Sequence, residues 1–277
     1  MREYRYEKIC RLIKVFLYAR KEARLRDIVK MLEKAFGKKP DDAYIYRMIK
    51  NKLIAKGEVV KEARGRIPIY RLTPEGEKTL TGAEVTRGDI ELLLIEVAER
   101  LGGELTKISS AKNLSEDVMK ILARTFTSFN YLLEIGGDEI FIRVEEGAYI
   151  PNHMGRIRSR EALQEILEHC IPYLRKLSDE KILLGSIRED ARRYRDKKFL
   201  LIINGTDPRT LPKELREAIN EIARKKQEWI LEKTIEMINN LIKQLPKNAE
   251  IIFTSNNLEE TRTKLEKTIK KMMTLLQ

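Results

Sequence analysis

The apolar residues of this chain change their period at Gly57, and that switch narrows the folds open to its first third. From Tyr4 to Arg20, the residues Ile9, Leu12, Ile13, Phe16 and Leu17 return at the spacing of one helical face. Leu25, Ile28, Val29, Leu32 and Phe36 repeat the pattern from about Arg24, and Gly37 supplies a stop. After Lys38-Lys39-Pro40, Asp41 or Asp42 caps a third helix that reaches about Ala55, with Ile45, Tyr46, Ile49 and Leu53 inward. Beyond Gly57 the spacing falls to two. Glu58 to Ala63 and Ile67 to Leu72 predict strands joined at Arg64-Gly65-Arg66. Thr73 and Pro74 fit the cap and first residue of a short helix ending near Leu80.

The same stretch carries the charge. Residues 1–80 hold 22 Lys or Arg against 11 Asp or Glu, whereas residues 81–277 hold 33 against 32. Nearly all of the formal net charge of +12 therefore lies at one end. A surplus confined to one small module is the footprint of a surface that meets a polyanion, because each phosphate contact releases condensed counterions. The outward side of the third helix would present Tyr44, Arg47, Lys50, Asn51 and either Met48 or Lys52, of which Lys52 is counted in the expected DNA-binding set. That mixture can touch base edges and phosphates in a major groove. Arg64 and Arg66 at the hairpin tip suit contacts along the phosphate backbone or in the minor groove.

Tyr70, Arg71, Leu72, Thr73, Pro74, Glu75 and Gly76 resemble the strand-to-helix junction of winged-helix transcription factors of the PadR and MarR type, in which tyrosine, leucine-threonine and glycine recur together. Ile45-Tyr46-Arg47 through Gly57-Glu58-Val59 is similar to their recognition helix and following strand, with one residue more between Ile49 and Leu53 than the commonest PadR spacing. The resemblance covers about residues 5–80 and implies a winged helix that binds DNA. Double-stranded DNA is expected over RNA, because no aromatic stacking platform is evident beside the basic residues.

The remaining two thirds read as mixed α and β. Thr81 to Gly88 is a polar linker, followed by a helix from Asp89 to Leu101 that Gly102-Gly103 ends and a short helix near Ser115. Asn130 to Ile135 and Glu139 to Val144 predict a hairpin about Gly136-Gly137-Asp138. Ser159 is placed as the cap of a helix to about Cys170, which Pro172 ends or kinks. Ser178 to Lys198 reads as helical, with a basic surface of Arg188, Arg192, Arg193, Arg195, Lys197 and Lys198. Strands at Phe199–Ile203 and Ile251–Phe253, separated by one long helix from Pro212 to Leu245, predict a βαβ unit with a parallel pair, and a last helix runs from Leu258 to Leu276. The apolar stripe of the long helix, which includes Trp229, exceeds what two short strands can cover, so a homodimer is expected. The fold class is mainly α with α+β and α/β parts. Its segments are a winged helix over 1–80, a linker over 81–88, a helix and hairpin region over 89–198, and a βαβα dimerisation or partner-binding region over 199–277.

No pattern for chemistry stands out. Asn204-Gly205-Thr206-Asp207-Pro208 lacks the spacing and lysine of a phosphate loop, and reads as a turn. His153 and His169 have no metal-ligand spacing, while Asp138, Glu139, Glu145 and Glu146 lack an acidic-x-lysine partner and read as turn charges. No cofactor, metal or catalytic residue is expected. Cys10 and Cys170 read as small core residues with reduced thiols, which favours the cytoplasm. No apolar run approaches the roughly 18 residues of a membrane span. Charged residues make up 35% of the chain, a composition that suits a thermophilic archaeal host. The expected function is a sequence-specific double-stranded DNA-binding regulator of transcription, not an enzyme, that acts as a dimer and whose C-terminal region can take a protein partner or small effector. A replication-initiation or partition protein of a plasmid or virus is the alternative. A metal-dependent nuclease is third.

Overall fold

The computed structural model describes residues 2–65, 67–81, 83–111, 114–150, 168, 170–179, 181–225 and 230–274. They form a mixed α/β protein with eleven α-helices and two sheets. The first is built by α1 (Arg2–Arg20), α2 (Leu25–Phe36) and α3 (Asp42–Met48), then β1 (Val59–Arg64), β2 (Ile67–Leu72) and α4 (Pro74–Thr81). β1 and β2 pair antiparallel from Val59↔Leu72 to Arg64↔Ile67, and Ala23 adds a bridge to Tyr70 through N–H to carbonyl bonds of 3.0 and 2.8 Å. Asp41 caps α3, its carboxylate accepting from the Ala43 N–H at 3.0 Å.

The junction after β2 explains its own residues. The Thr73 hydroxyl donates to the Gly57 carbonyl at 2.6 Å and accepts from the Gly76 N–H at 3.1 Å. Gly76 lies so close to the β1 entrance that a Cβ there would stand 2.1 Å from the Glu58 carbonyl oxygen. Only glycine fits.

α3 does not stop at Met48. It runs into a π-helical segment, Ile49–Ile54, whose Ala55 and Glu58 N–H groups reach back five residues to the Lys50 and Leu53 carbonyls at 3.2 and 2.9 Å. A widened turn holds one residue more than an α turn.

α5 (Arg87–Arg100) leads into a five-stranded sheet of order β3 (Glu104–Lys107), β4 (Tyr131–Ile135), β5 (Asp138–Glu146), β6 (Lys198–Asn204) and β7 (Ala249–Phe253). β3, β4 and β5 run as an antiparallel meander, and β5, β6 and β7 are parallel. The expected hairpin turns on Gly136 and Gly137, with φ of 58° and 86°. That hairpin and the βαβ unit belong to one sheet, because β5 pairs β6 from Ile140↔Lys198 to Glu146↔Asn204.

Alternating side chains give the sheet two apolar faces. Leu133, Ile142, Leu200 and Ile202 face α5 and α11 (Leu258–Thr274), in a core that continues without interruption into α1, α2 and α3. Leu132, Phe141, Phe199 and Leu201 face the other side, against α6 (Glu116–Leu122), α7 (Ile171–Asp179), α8 (Lys181–Arg193), α9 (Lys213–Lys225) and α10 (Ile230–Lys243). There Phe129, Phe141 and Phe199 form a ring cluster with centroids 5.5 to 5.7 Å apart.

Several expectations are corrected. The single long helix is two, α9 and α10, that fold back on each other: the Asn220 amide donates to Glu232 at 3.4 Å, whereas twelve residues of straight helix span about 18 Å. Of the stripe that motivated a dimer, Leu215, Ile219 and Ile238 are buried within the chain, and Ile222, Met237, Leu241 and Ile242 are half-buried against the same core. Trp229, and the helix placed from Ser159, lie outside the described residues. Pro172 is the second residue of α7, which follows directly on the π-helical Cys170. Lys198 is not a surface cation. It is 1% exposed at the start of β6 and donates to Asp138 at 2.7 Å. Phe36 and Tyr46 are exposed rather than inward, Met48 is buried, and Cys10 is only half-buried.

Candidate nucleic-acid interface

The α3–π segment buries Ile45, Met48, Ile49 and Leu53, and leaves Arg47, Lys50, Asn51 and Lys52 exposed, with Tyr44 half-buried. Arg47 donates only along its own helix, to the Ala43 carbonyl at 3.3 Å, and none of Arg47, Lys50, Asn51 or Lys52 is ion-paired among the described residues. Four polar side chains, three of them cationic, thus stand on one segment with no carboxylate to neutralise them. Tyr46 and Lys50, one turn apart, point elsewhere than Arg47, and the Lys61 ammonium lies 5.5 Å over the Tyr46 ring. Arg64 ends β1, and Gly65 turns the tip with φ of 64°, while Arg66 lies outside the described residues.

Tyr44, Arg47, Asn51 and Lys52 share one wall of a cleft of about 1470 Å³ that runs between α3 and the sheet. α1 supplies the second wall with Tyr6, Lys8 and Lys14, and the far side is made by Arg87 of α5 with Tyr131 and Tyr149 near the strand ends. Lys50 is not among the residues that line it. The structure therefore splits the expected DNA-binding set into cleft-facing Tyr44, Arg47, Asn51 and Lys52, an outward Lys50, and a separate hairpin tip.

Two buried polar clusters fix this geometry. Asp89, wholly buried in the first turn of α5, closes a capping box with Thr86 and receives the Arg11 guanidinium from α1 at 2.7 to 3.0 Å. Asn204, at the end of β6, uses its whole amide. Its oxygen accepts from the hydroxyls of Tyr149 at 2.8 Å and Thr254 at 3.1 Å, and its nitrogen donates to the Val85 carbonyl at 3.1 Å and Glu146 at 3.3 Å. Burial pushes the Tyr149 and Tyr131 phenols up to about 12, so both remain neutral donors at ordinary pH.

Sequence reading missed Tyr6, Lys8, Tyr131 and Tyr149. The signal on α1 was present: Glu7, Arg11 and Lys14 recur at i, i+4 and i+7, a polar stripe that reads as solvated until a second wall is known to face it. The basic run of α8 is a weaker rival. Arg188 donates to Gln244 and Glu189, Arg192 to Glu189, Arg193 to the Arg124 carbonyl, and Lys197 to Glu139.

Among the described residues no three His, Cys, Asp or Glu side chains converge in a way that could hold a metal ion, and no helix is long and apolar enough to cross a membrane. Comparison of the chain with family models, with curated proteins and with solved structures returns no match.

Proposed function

We propose that this protein binds double-stranded DNA through the α3–π segment, with the β1–β2 hairpin as a wing, and that it acts as a transcriptional regulator. The observation that carries the reading is the unpaired set Arg47, Lys50, Asn51 and Lys52 exposed over a buried Ile45, Met48, Ile49 and Leu53 face. An arginine and an asparagine four residues apart on one helix are suited to guanine and adenine edges, and the lysines to phosphates. The order of three helices, hairpin and short helix, and the requirement for glycine at position 76, support the winged-helix resemblance. The reading keeps the expected homodimer as the form that would engage two half-sites.

The test begins with selection of preferred sites from a random duplex pool by the full chain. Arg47→Ala and Asn51→Ala are expected to lower the ratio of selected-site to scrambled-site affinity by about 5- to 150-fold, as befits a lost base contact of about 1–3 kcal/mol. Lys50→Ala should weaken both duplexes alike. Equal losses on both duplexes for all three variants contradict the assignment. Mapping bound sites in the genome to promoters supports regulation, whereas confinement to a replication origin contradicts it.

A further inference from the structure

The cleft joins two features that the helix alone does not have. One is a cluster of exposed cations, Lys8 from α1 with Arg47, Lys52 and Lys56 from the third helix and the turn that follows, none ion-paired among the described residues. The other is an aromatic pair beside them: the Tyr6 and Tyr44 rings lie with centroids 5.9 Å apart, tilted by 37°, and both line the cleft. Several carboxylates of the cleft are already engaged. Glu58 pairs with Lys14 at 3.2 Å, Glu91 with Lys107 at 3.0 Å, and Glu146 accepts from the Asn204 amide. Glu7 and Glu84 also line the cleft and are exposed, but its eight Lys and Arg outnumber its five Glu, which leaves the positive wall for an outside anion, with the half-buried Tyr6 and Tyr44 rings beside it.

We infer that this cleft is a nucleotide site, in which Lys8, Arg47, Lys52 and Lys56 hold phosphate and the Tyr6–Tyr44 pair receives a base. Cations that track phosphates next to aromatic rings that stack on bases are the combination by which proteins hold unpaired nucleotides. The volume, about 1470 Å³, exceeds the roughly 300–1000 Å³ of a pocket for one small molecule, so the cleft has room for a nucleotide. The nucleotide has two sources, a free nucleoside triphosphate or a residue of an unpaired strand. The site does not depend on duplex binding, with which it shares Arg47 and Lys52 but not Lys8 or Tyr6.

The experiment uses the full chain and two probes: an equimolar mixture of ATP, GTP, CTP and UTP in equilibrium dialysis, and fluorescein-labelled hexathymidylate in anisotropy. Saturable binding of at least one probe is expected. Lys8→Glu should weaken it about tenfold or more, by reversing a charge at the phosphate. Tyr6→Leu, which keeps apolar volume but removes the ring face, should weaken it about fivefold or more. Circular dichroism melts of both variants should match the wild type. Binding of the triphosphates alone assigns a free nucleotide, binding of hexathymidylate alone assigns a strand, and either supports the site. Failure of both probes, or wild-type affinity in either variant, overturns it. Loss of duplex binding with retained nucleotide binding contradicts the preceding reading and leaves this one standing.

Discussion

Asn204 shows how much a single side chain can hold in this molecule. Its amide makes two bonds on each side and joins the β6 end to Val85, Glu146, Tyr149 and Thr254. Asn204→Leu keeps the volume but takes the amide donor from the Val85 carbonyl, while the Tyr149 hydroxyl keeps Thr254 and the Ser255 carbonyl at 2.6 and 3.1 Å. The expected cost is about 1–3 kcal/mol in urea unfolding, the range for one abandoned buried partner. An unchanged midpoint would remove Asn204 from this role. Local rules made other residues legible beforehand: the caps at Asp41 and Thr73 each accept from the first turn of their helix, as their residue types require. Tyr46 and Met48 were not legible. Both flank the Ile45–Ile49–Leu53 row, one on each side, and which flank is buried depends on where the rest of the core lies.

At the scale of elements, α5 decides how the basic module meets the sheet. Ile90, Leu92, Leu93, Leu94, Ile95 and Val97 are all buried, so the helix has no solvent face over most of its length. A helix apolar all round has no single stripe, and sequence periodicity finds the helix without finding its neighbours. Glu99 ties it to two of them, accepting from Lys34 of α2 at 2.7 Å and from Arg20 of α1. Burial raises the Glu99 carboxyl, but the hydrogen bond and charge of Lys34, with the charge of Arg20, reverse this and hold it below the ordinary carboxylate value. A carboxylate depressed in the folded state adds stability that is complete above its unfolded pKa of about 4.3 and is lost as pH falls through the lower folded value. Wild type should therefore exceed Glu99→Gln in stability at neutral pH, with the gap closing below about pH 4 in denaturant titrations. A gap independent of pH contradicts this. β3 and the separation of α9 from α10 escaped the sequence for different reasons. β3 has four residues, Glu-Leu-Thr-Lys, too few for a period, and the apolar spacing of α9 carries over into α10 as though the helix continued.

Across the whole molecule, the hairpin, the parallel pair and the clustering of charge at the N-terminal end were legible because each rests on local pattern or composition. The cleft was not, since its walls come from residues as far apart as Tyr6 and Asn204 and exist only once the core joins α1 and α3 to the sheet. That continuous core sets the unpaired cations of α3 beside a second surface instead of leaving them on a free-standing module. Duplex binding at this surface, as proposed, carries an electrostatic signature. The direct measurement is the dissociation constant of the full chain for a selected duplex at several salt concentrations. About four phosphate contacts would raise it by roughly 100-fold between 50 and 200 mM monovalent salt, with the logarithmic slope shallower by about one in Lys50→Ala. No duplex binding at 50 mM salt, or an affinity that does not change with salt, would contradict the account.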